Sequence, residues 1–254
     1  MTQSTPTSPL TGRHALITGG ARGIGAAVAA ELARLGATLT LVGRDADHLE
    51  ATADPLDAQV LVLDLADRDK VAKMLAGFPA TILVNNAGLA PTGRTDAYKL
   101  EDWDRTFAVN ATAALLTMQA VIPTMKAAGW GRIVNVASTA GLIGYTHVAG
   151  YVASKHALVG LTRAAALDLA KTGITVNAVC PGFTDTDLAT FAVGNLTKAG
   201  KSEDEARAIL ARKNPQGRLI DPAEVASTVG WLCLPGSAAV NGQAIAIDGG
   251  EVAG

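Results

Sequence analysis

"HALITGGARGIGAAVAAELARLG", residues 14–36, carries three signals in a fixed order. His14 to Thr18 is an apolar, β-branched run with no polar alternation, the pattern of a strand buried on both faces. Gly19, Gly23 and Gly25 then punctuate a short turn. From residue 23 to 35 an Ala/Leu-rich amphipathic segment predicts a helix. Glycines in such a turn permit tight chain reversal and close backbone approach to a phosphate, and the helix start offers free N–H groups at its positive dipole end. Glycine-rich loops also occur for structural reasons alone. Placed between a first strand and a first helix, this one predicts a dinucleotide site.

The same alternation recurs outward from this stretch. "ATLTLVG" (37–43), "QVLVL" (59–63), "TILVN" (81–85), "RIVNVA" (132–137), "ITVNAV" (174–179) and "AIAID" (244–248) read as strands, and 67–76, 101–128 and 151–171 as helices. Continuous apolar strands alternating with helices, without a composition break, predict an α/β fold. It is a single-domain, doubly wound parallel sheet (Rossmann-like) with helices on both faces, spanning 12–254. The polar start, "MTQSTPTSPL", predicts a flexible tail over 1–11. Residues 183–243 lack a strand. Their polar, glycine-containing beginning, 183–215, predicts a mobile loop folding over substrate, with helices after it and with Phe183, Leu188, Phe191 and Leu196 as apolar contacts.

Bulk composition narrows the function classes. A chain of 254 residues, 49% hydrophobic and 17% charged, can bury a sizeable core. A net charge of −2 gives no basic surface for nucleic acid or anionic membrane. The N-terminus lacks the order of a signal peptide and no segment is read as a membrane span, so the expected location is cytoplasmic. Cys180 and Cys233 sit in apolar surroundings at a spacing that fits neither zinc nor a redox pair, and read as buried thiols. His14, His48, His147 and His156 form no metal spacing, so no metal is expected.

Strand two ends in "LVGRD", where an acid about 20 residues beyond the glycines would take a ribose. Gly43 occupies that place, followed by Arg44, whose fork of donors suits a 2′-phosphate. Arg22, inside the glycine turn, can help from the other side. The alternative has Arg44 solvated and Asp45 on the ribose. NADP(H) is thus favoured over NAD(H). Past strand three, Asp64, with Leu65 beside it, is placed to accept from an adenine amino group. Asp67 reads as a helix N-cap.

Hydride addition to a ketone makes an alkoxide that must be protonated. Tyr151 and Lys155, in "GYVASKHA" (150–157), lie one turn apart on one helix face. A free tyrosine titrates near 10, and a neighbouring ammonium lowers that value, so the pair is a candidate proton-transfer device. The competing reading is a core tyrosine beside a snorkelling lysine. Ser138 ends the fifth strand at a carboxyl edge, where it can hydrogen-bond a substrate oxygen. "NNAG" (85–88) lets a cofactor lie against Asn86, Ala87 and Gly88. Asn110, inside a long helix, is a mediocre helix former and points to a polar role. Tyr145 and His147, between Ser138 and Tyr151, are candidates for lining the substrate pocket. A Ser138/His147/Asp triad lacks the G-x-S-x-G elbow of such hydrolases.

With Thr18, Gly19, Gly23, Gly25, "NNAG", Asn110, Ser138, Tyr151, Lys155 and "PG" (181–182) in order, the chain resembles the short-chain dehydrogenase/reductase family over about 12–250. The resemblance implies that Tyr151 is the general acid/base and that Lys155 lowers its pKa and bonds the nicotinamide ribose. It implies that Ser138 orients the carbonyl and that Asn110 holds a water in a proton relay. Ile24 would follow the phosphate turn, Asn86 to Gly88 would flank the adenine ribose, and Pro181, Gly182 and Thr184 would position the nicotinamide. A homotetramer is implied, in keeping with surplus small apolar residues on 101–128 and 151–171. Among family members the chain resembles 3-oxoacyl-thioester reductases and 3-hydroxyacid dehydrogenases. The expected function is NADP(H)-dependent interconversion of a ketone and a secondary alcohol, most of all a 3-oxoacyl/3-hydroxyacyl compound, thioesters included. The alternatives are an NAD(H) dehydrogenase of another small, cyclic or aryl alcohol, or a non-catalytic dinucleotide sensor.

Overall fold

Parallel strands β1 (His14–Thr18), β2 (Thr38–Gly43), β3 (Gln59–Val62), β4 (Ile82–Asn85), β5 (Gly131–Val136), β6 (Ile174–Pro181) and β7 (Ala244–Ile247) form one sheet in the order β3-β2-β1-β4-β5-β6-β7. The computed structural model describes residues 8–253, without the side chains of Leu188 and Phe191. Every residue of β5 and β6 is buried, as expected for strands covered on both faces, whereas β3 and β7 at the sheet edges are partly exposed. Chain direction across the sheet reverses between β1 and β4, which opens a crevice at their carboxyl ends.

Helices cover both faces. One apolar core, including Leu16, Leu83, Val121, Met125 and Ile133, joins the sheet to α3 (Arg68–Met74), α5 (Ala113–Ala127) and α6 (Ala149–Leu169). The opposite core, including Ile17, Val28, Leu32, Val84, Val225 and Val229, joins it to α1 (Gly23–Arg34) and α9 (Pro222–Cys233). Helix α2 (Ala46–Ala53) caps the β2 end, with Asp45 accepting from His48 N–H. Pro222 at the first turn and the Asp221/Glu224 capping box start α9 just after Ile220, which bridges Thr184 in the loop beyond β6. Cys180 and Cys233 are both buried and unpaired.

Helix α4 (Leu100–Phe107) runs into α5 through a π-type turn, Ala108–Thr112. By length and composition the continuous stretch Leu100–Ala127 is apolar enough to cross a membrane, although charged residues such as Glu101, Arg105 and Lys126 interrupt it. Its most apolar window is 56% buried within the fold, so its apolarity serves a core face.

Two expectations need correction. The first concerns the tail. Residues 1–7 lie outside the described residues, but Leu10 is fully buried beside α1 and its N–H donates to Leu35 O at 2.9 Å. Burial of one leucine outweighs the polarity of its neighbours. The second concerns 183–215, which folds as α7 (Asp187–Lys198) and α8 (Glu203–Ala211). Gly200, at φ +90, closes α7, and a reciprocal Ser202/Glu205 capping box opens α8. Ala189, Val193, Ala206 and Leu210 bury a small core between them, against which Phe183 and Leu196 pack. Leu188 and Phe191, expected as apolar contacts, have side chains outside the description.

Candidate active site

The crevice is built first from glycines. Gly19 has φ +65, and a Cβ there would lie 2.9 Å from Ala87 Cα, so the turn after β1 and the loop after β4 meet backbone to backbone. A Cβ on Gly25 would strike the Gly19 carbonyl oxygen outright. Arg22 precedes α1 in extended conformation and makes no side-chain cap, so the first N–H groups of α1 face the crevice without that partner. Thr18 holds the turn. Its hydroxyl accepts from Asn86 N–H (3.0 Å) and Ala87 N–H (3.2 Å), while the Asn86 amide donates to Thr18 O (3.1 Å) and Gly19 O (2.9 Å). "NNAG" therefore acts as a clamp on the glycine turn, a job that spacing alone did not disclose. Ile24 packs into the α1-side core.

A cleft of about 510 Å³ opens between these loops, lined by Gly19, Arg22, Arg44, Asp45, Asp64, Leu65, Ala87, Gly88 and Val109 among others. Apolar walls, a basic pair and backbone donors suit an adenosine with phosphates, so the residues fit a dinucleotide. Asp64 accepts from Ala66 N–H at 2.9 Å and lies 3.4 Å from Arg105. Arg22 reaches Asp187 of α7 at 3.1 Å, an exposed contact that a phosphate can replace. Asp45 is engaged as the α2 cap, and the His48 backbone N–H holds its carboxyl below the usual range.

The polar centre lies further along the same sheet edge. Ser138 follows β5, and Tyr151 and Lys155 come from α6. Lys155 is 3% exposed, and its Nζ donates to Val136 O at 2.7 Å. Burial lowers its pKa to about 8. The Tyr151 phenol is pushed up by burial and pulled down by the Ser138 hydroxyl. The expectation that Lys155 sets a low Tyr151 pKa is thus not met by these groups alone. The ammonium stands 5.6 Å from the phenol ring centroid, bonded to a carbonyl, and desolvation of the phenol prevails.

Asn110 lies in the π-type turn, a feature common at functional sites, and is 1% exposed. Its amide donates to Leu89 O and Ser154 Oγ, both at 2.9 Å, and its Oδ1 accepts from Leu89 N–H at 2.8 Å. A Cβ on Gly88 would sit 3.6 Å from both Asn110 Oδ1 and Lys155 Nζ, so these two groups flank Gly88. Below them a buried chain, Thr117–Asn85–Asn135–Thr162, fastens α5 and α6 through β4 and β5.

The remaining candidates divide. Gly182 N–H donates to Ile247 O at 3.0 Å, and Thr184 Oγ donates to Gly182 O at 3.0 Å, which fixes the loop after Pro181 at this edge. Tyr145 is held by Thr139 and Glu251, each at 2.7 Å, and meets Phe183 edge-on. His147 is exposed with φ +64, and its carbonyl accepts from Gly93 N–H at 2.8 Å. Sequence reasoning missed Thr139, Ser154 and Glu251. Thr139 and Ser154 adjoin Ser138 and Lys155 in the chain, whereas only the fold brings Glu251 here.

A glycine-turn cleft at the switch point, with a Ser–Tyr–Lys group further along the same carboxyl edge, defines a nucleotide-dependent oxidoreductase site. Residues 13–195 match the model of the short chain dehydrogenase family. The chain is 35% identical over 255 residues to D-beta-hydroxybutyrate dehydrogenase of Rhizobium meliloti, covering 95% of this chain and 99% of that one. It is 36% identical over 252 residues to a 3-oxoacyl-acyl-carrier-protein reductase of Pseudomonas aeruginosa, covering 95% and 98%. A variant of the actinorhodin polyketide ketoreductase, solved with NADPH, superposes with TM-score 0.89 at 36% identity, covering 94% of this chain and 97% of that one. The protein belongs to the short-chain dehydrogenase/reductase family, NAD(P)-dependent oxidoreductases that act on secondary alcohols and ketones.

Proposed function

We propose that the chain reduces a 3-oxoacyl compound to its 3-hydroxyacyl product with NADPH, or runs the reverse. The Ser138–Tyr151–Lys155 group, with Lys155 buried and Ser138 and Tyr151 partly exposed, carries this reading. When bound, the nicotinamide supplies the hydride to the carbonyl carbon or takes it back. The Ser138 hydroxyl donates to the carbonyl oxygen and orients it. Burial keeps the Tyr151 phenol protonated at neutral pH, the form that gives a proton to the developing alkoxide. Lys155, charged below about 8, favours the phenolate left behind and would hydrogen-bond the ribose of a bound nicotinamide. Asn110 positions the α6 pair through Ser154, and its Oδ1, beside Gly88 and near Lys155, would hold a water that returns the proton. Pro181, Gly182 and Thr184 seat the nicotinamide, and Tyr145 and His147 border the substrate.

The 3-oxoacyl class is supported by relatives named for 3-hydroxybutyrate and 3-oxoacyl substrates that align along nearly their whole length. NADP(H) is favoured because Arg22 and Arg44 line the cleft while Asp45 is spent on a helix cap. Asp45 still borders that cleft, which supports the second reading, NAD(H) with another secondary alcohol. Segment α7–α8 is proposed to cover the substrate. Leu115 and Leu167, 40% and 80% exposed on α5 and α6, support a homotetramer packed through those helices.

The test is initial rates with NADPH and NADH against acetoacetyl thioesters, free 3-keto acids, diketones and aryl ketones. Turnover of acetoacetyl thioester with NADPH, reduced by about 10³-fold or more in Tyr151→Phe with cofactor binding retained, is expected. Activity retained in that variant refutes the mechanism. Turnover restricted to other ketones refutes the substrate class.

A further inference from the structure

Glu251, four residues past the end of β7, places a carboxylate between Tyr145 and the loop after β6. Its Oε1 accepts from the Tyr145 hydroxyl at 2.7 Å. Tyr145 in turn is bonded at 2.7 Å to Thr139, the residue after Ser138. Its Oε2 is buried and has no hydrogen-bond partner. That atom presses on the loop after β6: a Cβ on Gly182 would lie 3.2 Å from it. A carboxylate whose one donor is the Tyr145 hydroxyl on Oε1, and whose Oε2 is sealed from water without a partner, projects its field through low-dielectric surroundings.

The charged neighbours do not cancel it. Asp248, packed against the same Gly182, adds a second carboxylate, whose oxygens are taken by the backbone N–H groups of Gly250 and Val252. Tyr145, the titratable side chain bonded to Glu251 from the loop before α6, is a neutral phenol held up by burial. Lys213, exposed just past α8, is the cation that acts on Glu251. Two carboxylates against one exposed ammonium leave the wall negative.

Resting on the 3-oxoacyl reading for its choice of substrates, we propose that Glu251 is a charge-selecting residue, which disfavours free keto- and hydroxy-acid anions and admits uncharged esters, thioesters and hydroxylated ketones. Glu251 acts by field and by holding Tyr145 and touches no reacting atom. The proposal separates this chain from relatives that handle a free acid: the same polar centre then serves a masked carboxyl.

The test compares matched acid and ester pairs, acetoacetate with methyl acetoacetate and 4-acetylbenzoate with its methyl ester, in the wild type and in Glu251→Gln. Glutamine keeps an oxygen for Tyr145 and removes the charge. In the wild type the ester-to-acid ratio of kcat/KM is expected to be higher at pH 8 than at acidic pH, because burial raises the Glu251 pKa above its ordinary 4.5 and protonation removes the field. In Glu251→Gln the ratio drops about tenfold or more at pH 8, through KM of the acids, and becomes flat with pH, while ester turnover stays within about threefold. Taking the ratio cancels the titration of Tyr151 and Lys155, which both substrates share. An unchanged, pH-independent ratio overturns the proposal. If the aryl pair is turned over and the acetoacetyl pair is not, the 3-oxoacyl reading fails, and the aryl ratio alone decides the role of Glu251.

Discussion

Replacing Lys155 with Met separates what the fold needs from what the chemistry needs. Burial lowers the lysine from its ordinary 10.5 to about 8, a difference of about 2.5 units. At about 1.4 kcal/mol per unit, holding the ammonium inside costs the folded chain about 3 kcal/mol at pH 7. Methionine fills nearly the same volume without charge, but leaves the Val136 carbonyl without its 2.7 Å donor, a loss of about 1–3 kcal/mol. The variant is therefore expected to match the wild type or exceed it by up to about 2 kcal/mol in urea unfolding, while turnover falls at least about a hundredfold. The sign with pH is fixed. Between about 8 and 10.5 the unfolded chain holds a proton that the folded chain has lost, so wild-type stability climbs with pH through that window. The Met variant lacks that climb. Unfolding curves at pH 7 and 10, with a check that the m-value is unchanged, measure both effects. A loss of more than about 2 kcal/mol at pH 7 refutes the view that Lys155 is retained against stability, and undiminished turnover refutes its role in proton transfer.

Arg44→Asp is expected to weaken NADPH by roughly ten- to a hundredfold while improving NADH, read from the ratio of kcat/KM for the two; an unmoved ratio means that Arg44 does not read the phosphate. Gly25→Ala drives a methyl into the Gly19 carbonyl, so cofactor binding by NADPH fluorescence should be lost and the midpoint of unfolding lowered. Glu224 is held down to about 2, first by Arg218 and then by the Asp221 N–H. Its contribution to stability is present above its ordinary 4.5 and lost as pH falls toward about 2. Glu224→Gln should therefore show a small loss in urea midpoint at pH 7, for an exposed pair, that closes on acidification.

The strands were legible because most of them are buried on both faces. Apolar runs at 14–18 and 59–63 fell within a residue of β1 and β3, since a strand covered on both faces, or packed on one as at the sheet edge, is written mostly in apolar residues. Helices α7 and α8 were not, because their polar outward faces and Gly194 look like loop composition until the facing Ala189, Val193, Ala206 and Leu210 are seen to share a core. Leu10 went unread for a similar reason: one apolar residue in a polar tail has no period. Tyr151, Lys155 and Ser138 were legible as residue types at strand and helix ends. Their electrostatic balance was not, because it depends on desolvation.

By itself the sequence determined the order of strands and helices, the glycine turn and the polar residues delivered to the carboxyl edge, since each is written in local periodicity and spacing. Tertiary structure alone decided three other matters. One is the clamp of Asn86 on Thr18 and Gly19, made between β1 and β4. A second is the rise of the Tyr151 pKa above that of a free phenol. The third is the placing of Glu251 beside Gly182 and Tyr145. All three arise from groups far apart in the chain that are brought together out of water, where a hydrogen bond or a charge counts for more than it does in an extended chain.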